Sequence, residues 1–327
     1  MIQTLGRFWT SRRHRFRTAV STWFKVTAVL HMLMVASAAT AAENARERVI
    51  VSGASGQLGS LVVEELLARG VAPSDMILVS RTPDELANYA QLGAATRFGD
   101  FTQPESLPAA YEGGSRMLLI SISAGPDNRP QLHKNAIDAA KQVGVRHIVY
   151  TSTVDADNMN ELALSAAMHR ETEQILRDSG VAWTMLRNQL YADGIVGQAA
   201  RMLVDGQVVV QSNEIPTAFV TREDCAAAAA AVLITPGHEG NIYDITGPTA
   251  VLRSDIARIA SEITDYPIRV IQGQGDVPQA AGAIAGFNSF DVTSNAVELL
   301  TGRPATSIEQ LLNRNRDLLL GTTADSL

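Results

Sequence analysis

Val49-Ile50-Val51-Ser52-Gly53-Ala54-Ser55-Gly56-Gln57-Leu58-Gly59 is a short apolar run that ends in a glycine, with two more glycines at three-residue steps. Beyond it the apolar period becomes helical, with Leu58, Leu61, Val62, Leu66 and Leu67 on or near one face. The stretch predicts a strand, a tight glycine turn and a helix. Such a turn lets the backbone approach a pyrophosphate. The first turn of the helix then offers free N–H groups and the positive end of its dipole. Gly53 takes the tight turn, Gly56 removes a side chain near the phosphates, and Gly59 lets helix and strand pack closely. The spacing is G-x-x-G-x-x-G rather than G-x-G-x-x-G, and a glycine triplet alone is also what a structural turn looks like. Its place between a strand and a helix, at the head of a repeating β/α pattern, favours nucleotide binding.

Working outward, Met76 to Ser80 reads as a second strand, followed by Arg81. An NAD site commonly has an acid here for the ribose 2′-hydroxyl. An arginine suits the extra phosphate of NADP, so NADP is preferred over NAD; the alternative is a solvated arginine. Pro83 to Leu92 predicts a helix and Ala94 to Phe98 a third strand. Gly99-Asp100-Phe101 follows, then a helix from about Pro104 to Tyr111. Asp100 suits either the adenine amino group or a cap on that helix. Arg116 to Ser123 is a buried fourth strand, with Ser121 and Ser123 beside the crevice where open α/β sheets bind ligands. A helix over Pro130 to Val143 leads to a fifth strand, Val145 to Ser152. His147 alternates with core residues there and reads as structural. A helix from about Glu161 to Ser179 and a strand over Val181 to Leu186 follow, with Arg187 and Asn188 at its carboxyl end. This rhythm predicts an α/β fold with a Rossmann-type, doubly wound parallel sheet.

After Gln189 the pattern loosens. Val208 to Gln211, Ala218 to Val220 and Ile242 to Ile245 read as short strands. Arg222 to Ile234 (capped by Thr221), Ser254 to Ile263 and Ser307 to Leu320 read as helices. The expected organisation is a leader over 1–42, a nucleotide-binding core over 43–188, and a smaller substrate-side α/β region over 189–327.

The net charge is −7, which does not favour a nucleic-acid partner. The single cysteine, Cys225, excludes an internal disulfide, and the six histidines lack ligand spacing, so no metal is expected. In residues 1–42 the only charged residues are Arg7, Arg12, Arg13, Arg15, Arg17 and Lys25; the remainder holds 21 basic residues against 34 acidic, a net −13. Val26 to Ala42 is apolar or small apart from His31, and ends in Ala36-Ser37-Ala38 and Ala39-Thr40-Ala41. A basic region, an apolar region and small-x-small endings predict a secretory signal, hence a periplasmic or secreted protein. The run is short for a spanning helix, so membrane contact is expected only in passing, through the leader. Ser11-Arg12-Arg13 fits a twin-arginine signal in part. A transit peptide, or an extension on a cytoplasmic protein, are the alternatives.

Gly53 to Gly59, Gly99-Asp100, Leu118 to Ser123, His147 to Ser152, His169-Arg170-Glu171-Thr172-Glu173, Leu186-Arg187-Asn188 and Thr301-Gly302-Arg303-Pro304 carry a family likeness. Together they resemble the NmrA-like branch of the atypical short-chain dehydrogenases, and within it the NAD(P)H:quinone oxidoreductases. The resemblance runs from about Arg48 to the end. It implies NADPH as cofactor and hydride transfer to a quinone-like small molecule. It also implies that Gly53, Ser55, Gly56, Gln57, Leu58 and Gly59 form the pyrophosphate turn, and that Arg81 meets the 2′-phosphate. Asp100 and Phe101 then lie at the adenine, Ser121 and Ser123 toward the nicotinamide ribose, and Thr151 where cofactor and substrate sides meet. Asn188 and Tyr191 face the substrate, although packing alone would also account for Tyr191. His169 and Asn188 are the catalytic candidates; His169 is equally readable as a satisfied helix histidine.

A typical short-chain dehydrogenase carries Tyr-x-x-x-Lys on the helix after the fifth strand. Anchored on Glu173, those positions are Ser165 and His169, and neither can do the pair's task. A positioned general acid contributes about 10²–10⁴-fold. A quinone needs it less, because the hydroquinone anion is already stabilised and solvent can protonate it. A non-catalytic NADP(H) sensor of the NmrA type is the alternative. The resemblance also implies a helical insertion between Ile271 and Phe290-Asp291 that helps cover the substrate; here that span is short and rich in Gly and Ala.

Overall fold

Val49–Ser52 forms β1, and its two faces show why the run is apolar throughout. Val49 and Val51 belong to one buried cluster and Ile50 to another. A parallel strand covered on both sides needs apolar residues at every position. The computed structural model describes residues 47–122, 128–160, 163–211, 214–273 and 290–321. The leader, Ser123 and the Gly/Ala-rich span over 274–289 lie outside the described residues.

In chain order the elements are β1, α1 (Gln57–Ala68), β2 (Met76–Ser80), α2 (Ala87–Gln91), β3 (Ala95–Phe98), α3 (Leu107–Tyr111), β4 (Arg116–Leu119) and α4 (Arg129–Gln142). There follow β5 (His147–Thr153), α5 (Leu164–Asp178), β6 (Ala182–Asn188), α6 (Ile195–Asp205), β7 (Gln207–Val210), α7 (Arg222–Ile234) and β8 (Ile242–Ile245). The last are α8 (Arg253–Thr264), β9 (Arg269–Gln272), α9 (Ala296–Thr301), α10 (Ile308–Arg314) and α11 (Arg316–Leu319). Seven strands form one sheet in the order β3-β2-β1-β4-β5-β6-β8, every pair parallel. The order reverses between β1 and β4, the switch point at which such sheets bind ligands. The Rossmann-type expectation holds.

One face is covered by α1, α7 and α9, the other by α3, α4 and α5. The alanine run Ala226–Ala231 is buried throughout, and its small side chains let α7 lie close against α1 and the sheet. Thr221 caps α7, accepting from the Asp224 amide at 3.1 Å. Asp224 is fully buried and in turn takes Arg303 Nη1 at 2.5 Å and the Thr306 amide at 2.8 Å. The Thr301-Gly302-Arg303-Pro304 motif is thus a clasp from the C-terminal helices to the start of α7. A third cluster gathers α6, α8, α10 and α11 beside β7, which pairs only with β9 in a two-stranded parallel ladder.

Four local expectations are corrected. β4 stops at Leu119, because the Ser121 amide turns away to donate to Thr151 Oγ1 at 2.8 Å. β6 continues to Asn188, paired with β8, so Arg187 and Asn188 are strand residues. Ala218 to Val220 is not a strand: Thr217 and Val220 make only isolated bridges, to Val251 and Tyr191. Ser307 to Leu320 is two helices, broken at Asn315, whose φ of −108° and ψ of 23° leave the helical region.

Gly59 sets the distance between α1 and β1. A Cβ there would overlap the Gly53 carbonyl oxygen and stand 2.8 Å from Ala54 Cα. Both neighbours are backbone and cannot swing aside. Gly59→Ala should therefore destabilise the protein by about 1–3 kcal/mol, the usual cost of overpacking, as measured by urea unfolding. An unchanged midpoint would show that α1 can lift away freely.

Candidate functional site

The carboxyl ends of β1, β2, β4, β5 and β6 border a cleft of about 820 Å³. At its centre the glycine turn is held by two bonds to β2: the amides of Gly53 and Ala54 both donate to Val79 O, at 2.9 and 3.0 Å. Gly53 has φ +93°, a conformation only glycine takes without strain. Gly56 N–H returns to Gly53 O at 3.1 Å, and Gly56 begins α1 with no side-chain cap. No acidic residue stands in the first turn of α1. The N–H groups and dipole of that helix therefore point at the cleft uncompensated, a setting that attracts an anion.

Gly53, Ser55, Gly56, Gln57, Leu58 and Gly59 all line the cleft. Ser55 Oγ is tied to Ser80 Oγ at 2.7 Å, which fixes the turn against the end of β2. Arg81 lines the same side, exposed. Asp100 and Phe101 line the cleft at the end of β3, and Asp100 Oδ1 accepts from both the amide and the hydroxyl of Thr102 at 2.9 Å. That is a local turn bond, so half of its carboxylate serves structure. Ser121, Asn188 and Tyr191 also line the cleft. Thr151 does not: it sits behind Ser121 and holds that residue by its amide and hydroxyl, at 2.8 and 3.2 Å. Ser123 lies outside the described residues.

His169 lines the cleft wall but is nearly buried. Its Nδ1 is 2.8 Å from Tyr150 Oη, and its Nε2 is 3.5 Å from Arg129 Nη1. A guanidinium can only donate, so Nε2 accepts and the one imidazole proton is assigned to Nδ1. Burial first, and then the Arg129 charge, pull its pKa down to about 3. At neutral pH His169 is uncharged and cannot release a proton as an imidazolium acid. His133 beside it is set in the same way. Its Nε2 accepts the Ile122 amide at 3.2 Å, so Nδ1–H donates to Thr172 Oγ1 at 3.0 Å, and Thr172 donates onward to Met168 O. Burial, then His169 and Arg129, hold its pKa at about 3.

Two features escaped sequence reasoning. Arg129, the first residue of α4, lines the cleft at 5% exposure with its Nε unpartnered, and among the described residues no carboxylate pairs with it. Asn188 Oδ1 is also buried without a partner, its Nδ2 donating weakly to Tyr191 Oη at 3.4 Å. A basic first residue before Pro130 looks in sequence like a solvated helix start, and no sequence signal shows an orphaned amide oxygen.

Below Asn188, a charge network closes the floor between β5, β6 and α5. Arg187 binds both oxygens of Glu173, at 2.9 and 2.8 Å, and both of Asp157, at 2.5 and 2.9 Å. Ser152 and Arg177 complete the Glu173 shell at 2.7 and 2.8 Å. The buried Glu173 is consumed by structure, while Asp157 covers Arg187 from the solvent side. At the opposite ends of the strands, His147 bridges Arg116 and Thr184 at 3.0 and 2.8 Å and is structural.

Residues 53–236, over half of the chain, match the NAD(P)H-binding family, and the chain belongs to it. Quinone oxidoreductase 2 of Escherichia coli K12 is 37% identical over 216 residues, 66% of this chain and 73% of that protein. Among solved structures, Citrobacter triphenylmethane reductase complexed with NADP(H) matches with a TM-score of 0.73 and 29% identity, over 82% of this chain and 99% of that one. The NADPH-dependent quinone oxidoreductase of E. coli, complexed with NADPH, gives 0.72 and 30% over 81% and 99%. The chain is an NmrA-like, NAD(P)H-dependent oxidoreductase. The residues present fit the cofactor: an uncapped helix start at a glycine cradle for the pyrophosphate, and the orphaned Asn188 Oδ1 as an acceptor for an amide such as the nicotinamide carboxamide.

The buried neutral histidines also predict how stability depends on pH. His133 and His169 titrate near 3 and His147 near 4, against an ordinary value of 6.5. Between those limits the unfolded chain binds more protons than the folded one. Stability is therefore full above about pH 6.5 and falls as pH drops, by roughly 1 kcal/mol per histidine per pH unit. Urea midpoints should decline steadily from pH 7 to pH 5; a flat profile would mean that these imidazoles are charged in the folded protein.

Proposed function

We propose that this chain is an NADPH-dependent reductase of quinone-like acceptors. The observation that carries the reading is the composition of the cleft. It has a cradle for a dinucleotide, an arginine at the end of β2 where a 2′-phosphate would lie, and, among the described residues, no Tyr–Lys pair: His169 is neutral, and burial raises the pKa of the Tyr191 phenol. The bound cofactor supplies the hydride. Gly53, Ser55, Gly56, Gln57, Leu58 and Gly59 hold the pyrophosphate, and Arg81 binds the 2′-phosphate. Asp100 and Phe101 border the adenine, and Ser121, held by Thr151, faces the ribose. Asn188 orients the nicotinamide amide or the acceptor beside Tyr191.

His169 has a positioning role. Neutral, and bonded to Tyr150, it shapes the wall on which the acceptor lies. An acceptor whose reduced form is stable as an anion suits such a site, because solvent can complete the protonation. A carbonyl-to-alcohol reaction would forgo the roughly 10²–10⁴-fold that a general acid contributes. The reductase names of the relatives do not favour a silent sensor.

Two outcomes follow. The full-length protein should oxidise NADPH in the presence of 1,4-benzoquinone and not in its absence; binding without turnover over several acceptors would leave the sensor. Arg81→Ala should weaken NADPH by at least about tenfold, the worth of a charge-assisted hydrogen bond, and leave NADH within about twofold. Equal losses, read by nicotinamide fluorescence titration, would remove Arg81 from the 2′-phosphate.

A further inference from the structure

Arg129 poses an electrostatic problem that the cofactor cradle does not solve. The residue keeps 5% of its exposure, and its Nε is shut off from solvent. It stays charged at neutral pH, and a buried charge without a counter-charge is strongly unfavourable. Among the described residues its one side-chain polar contact is His169 Nε2, at a long 3.5 Å, and that ring is neutral. Its Nε has no partner. The side chain is therefore a fixed cation with spare donors, facing a cleft.

The cleft has two halves. The glycine turn and Arg81 follow β1 and β2, so the phosphates have their donors there. Arg129 begins α4, after β4, and its neighbour His169 stands on α5, after β5. In a doubly wound sheet the dinucleotide straddles the switch point, with its reactive ring toward the β4 and β5 side. Ser165 and His169 occupy the places of the missing Tyr and Lys, and Ser165 lines the same wall as Arg129. Ile122 and Leu132, also on the wall, provide apolar surface for a flat ring.

We propose that Arg129 is an anion anchor on the acceptor side of the cleft, selecting flat aromatic compounds that carry a carboxylate, sulfonate or phenolate. The inference rests on the reductase reading for the word acceptor, but the anchor is testable by binding alone. The guanidinium donates through its terminal nitrogens to the anionic group. His169 then serves as a positioning residue, accepting from Nη1 and restraining the arginine fork.

The test uses full-length protein loaded with NADP⁺ and two probes of equal shape, 2-naphthoate and 2-naphthamide, titrated by calorimetry. Wild type should bind the carboxylate at least about tenfold more tightly than the amide, the worth of one charge-assisted hydrogen bond. Arg129→Gln should abolish that preference, Arg129→Lys should retain part of it, and both should bind NADPH within about twofold of wild type. Equal binding of the two probes to wild type would overturn the anchor, and needs no variant. So would a variant that keeps the preference while losing NADPH affinity, since the anion would then be a cofactor phosphate. Absence of quinone turnover would sink the reductase reading and leave this result readable.

Discussion

The contact between Gly59 and the Gly53 carbonyl is the constraint on which the cleft depends. It lets α1 start directly above the end of β1, where any larger residue would hold the helix off. Because α1 starts there uncapped, its free N–H groups meet the cleft and not a side chain. The bonds from Gly53 and Ala54 to Val79 then lock the turn to β2, so that Arg81 follows within the same wall. Sheet, helix and anion site are set by a single close approach of backbone to backbone.

The other half of the cleft follows a different rule. There polar groups are buried and satisfied in ways that deny them protons to give. His133 and His169 are neutral because water has been removed and a guanidinium stands near. Tyr150, fully buried, has its ionisation pushed up by burial, so it is a poor acid as well. Glu173 is saturated by Arg187, Arg177 and Ser152. Among the described residues of this half, what lacks a full set of partners is a positive charge and a carbonyl-type acceptor, Arg129 and Asn188 Oδ1. Such a wall orients and polarises, and its histidines hold no imidazolium proton at neutral pH.

The legibility of the chain tracks the same physics. Strands buried on both faces announce themselves as unbroken apolar runs, and β1, β2, β4 and β5 were readable for that reason. The Thr221 cap was readable because a hydroxyl before an apolar period has one common use. Ala218 to Val220 misled because its apolar residues pack against neighbours without a strand alongside. Asn315 interrupts a pattern whose period continues on both sides. In the site, the glycine turn and Arg81 could be read from their place after strands. Thr151 could not, since a strand-end hydroxyl looks the same whether it faces a ligand or props up Ser121. Asn188 was a candidate through the family likeness, but its orphaned oxygen and the isolation of Arg129 were illegible in principle, because a missing partner is a property of three dimensions.

The departure from Tyr-x-x-x-Lys is then less a loss than a change in which charge the helix after β5 supports. A lysine at position 169 would set a second cation beside Arg129, and the two would repel in a site of low dielectric. A neutral histidine removes the repulsion and offers Nε2 as an acceptor, which turns the arginine's donors in a fixed direction. Keeping Arg129 buried and charged therefore disfavours a cation at position 169, and without a cation there the pKa of a catalytic tyrosine would not be lowered. Substituting position 165 alone by tyrosine would accordingly not restore proton transfer: the phenol would lie near a cation, but without the lysine's geometry. The anion anchor and the classical proton relay are alternatives for the same space, and this chain holds the former.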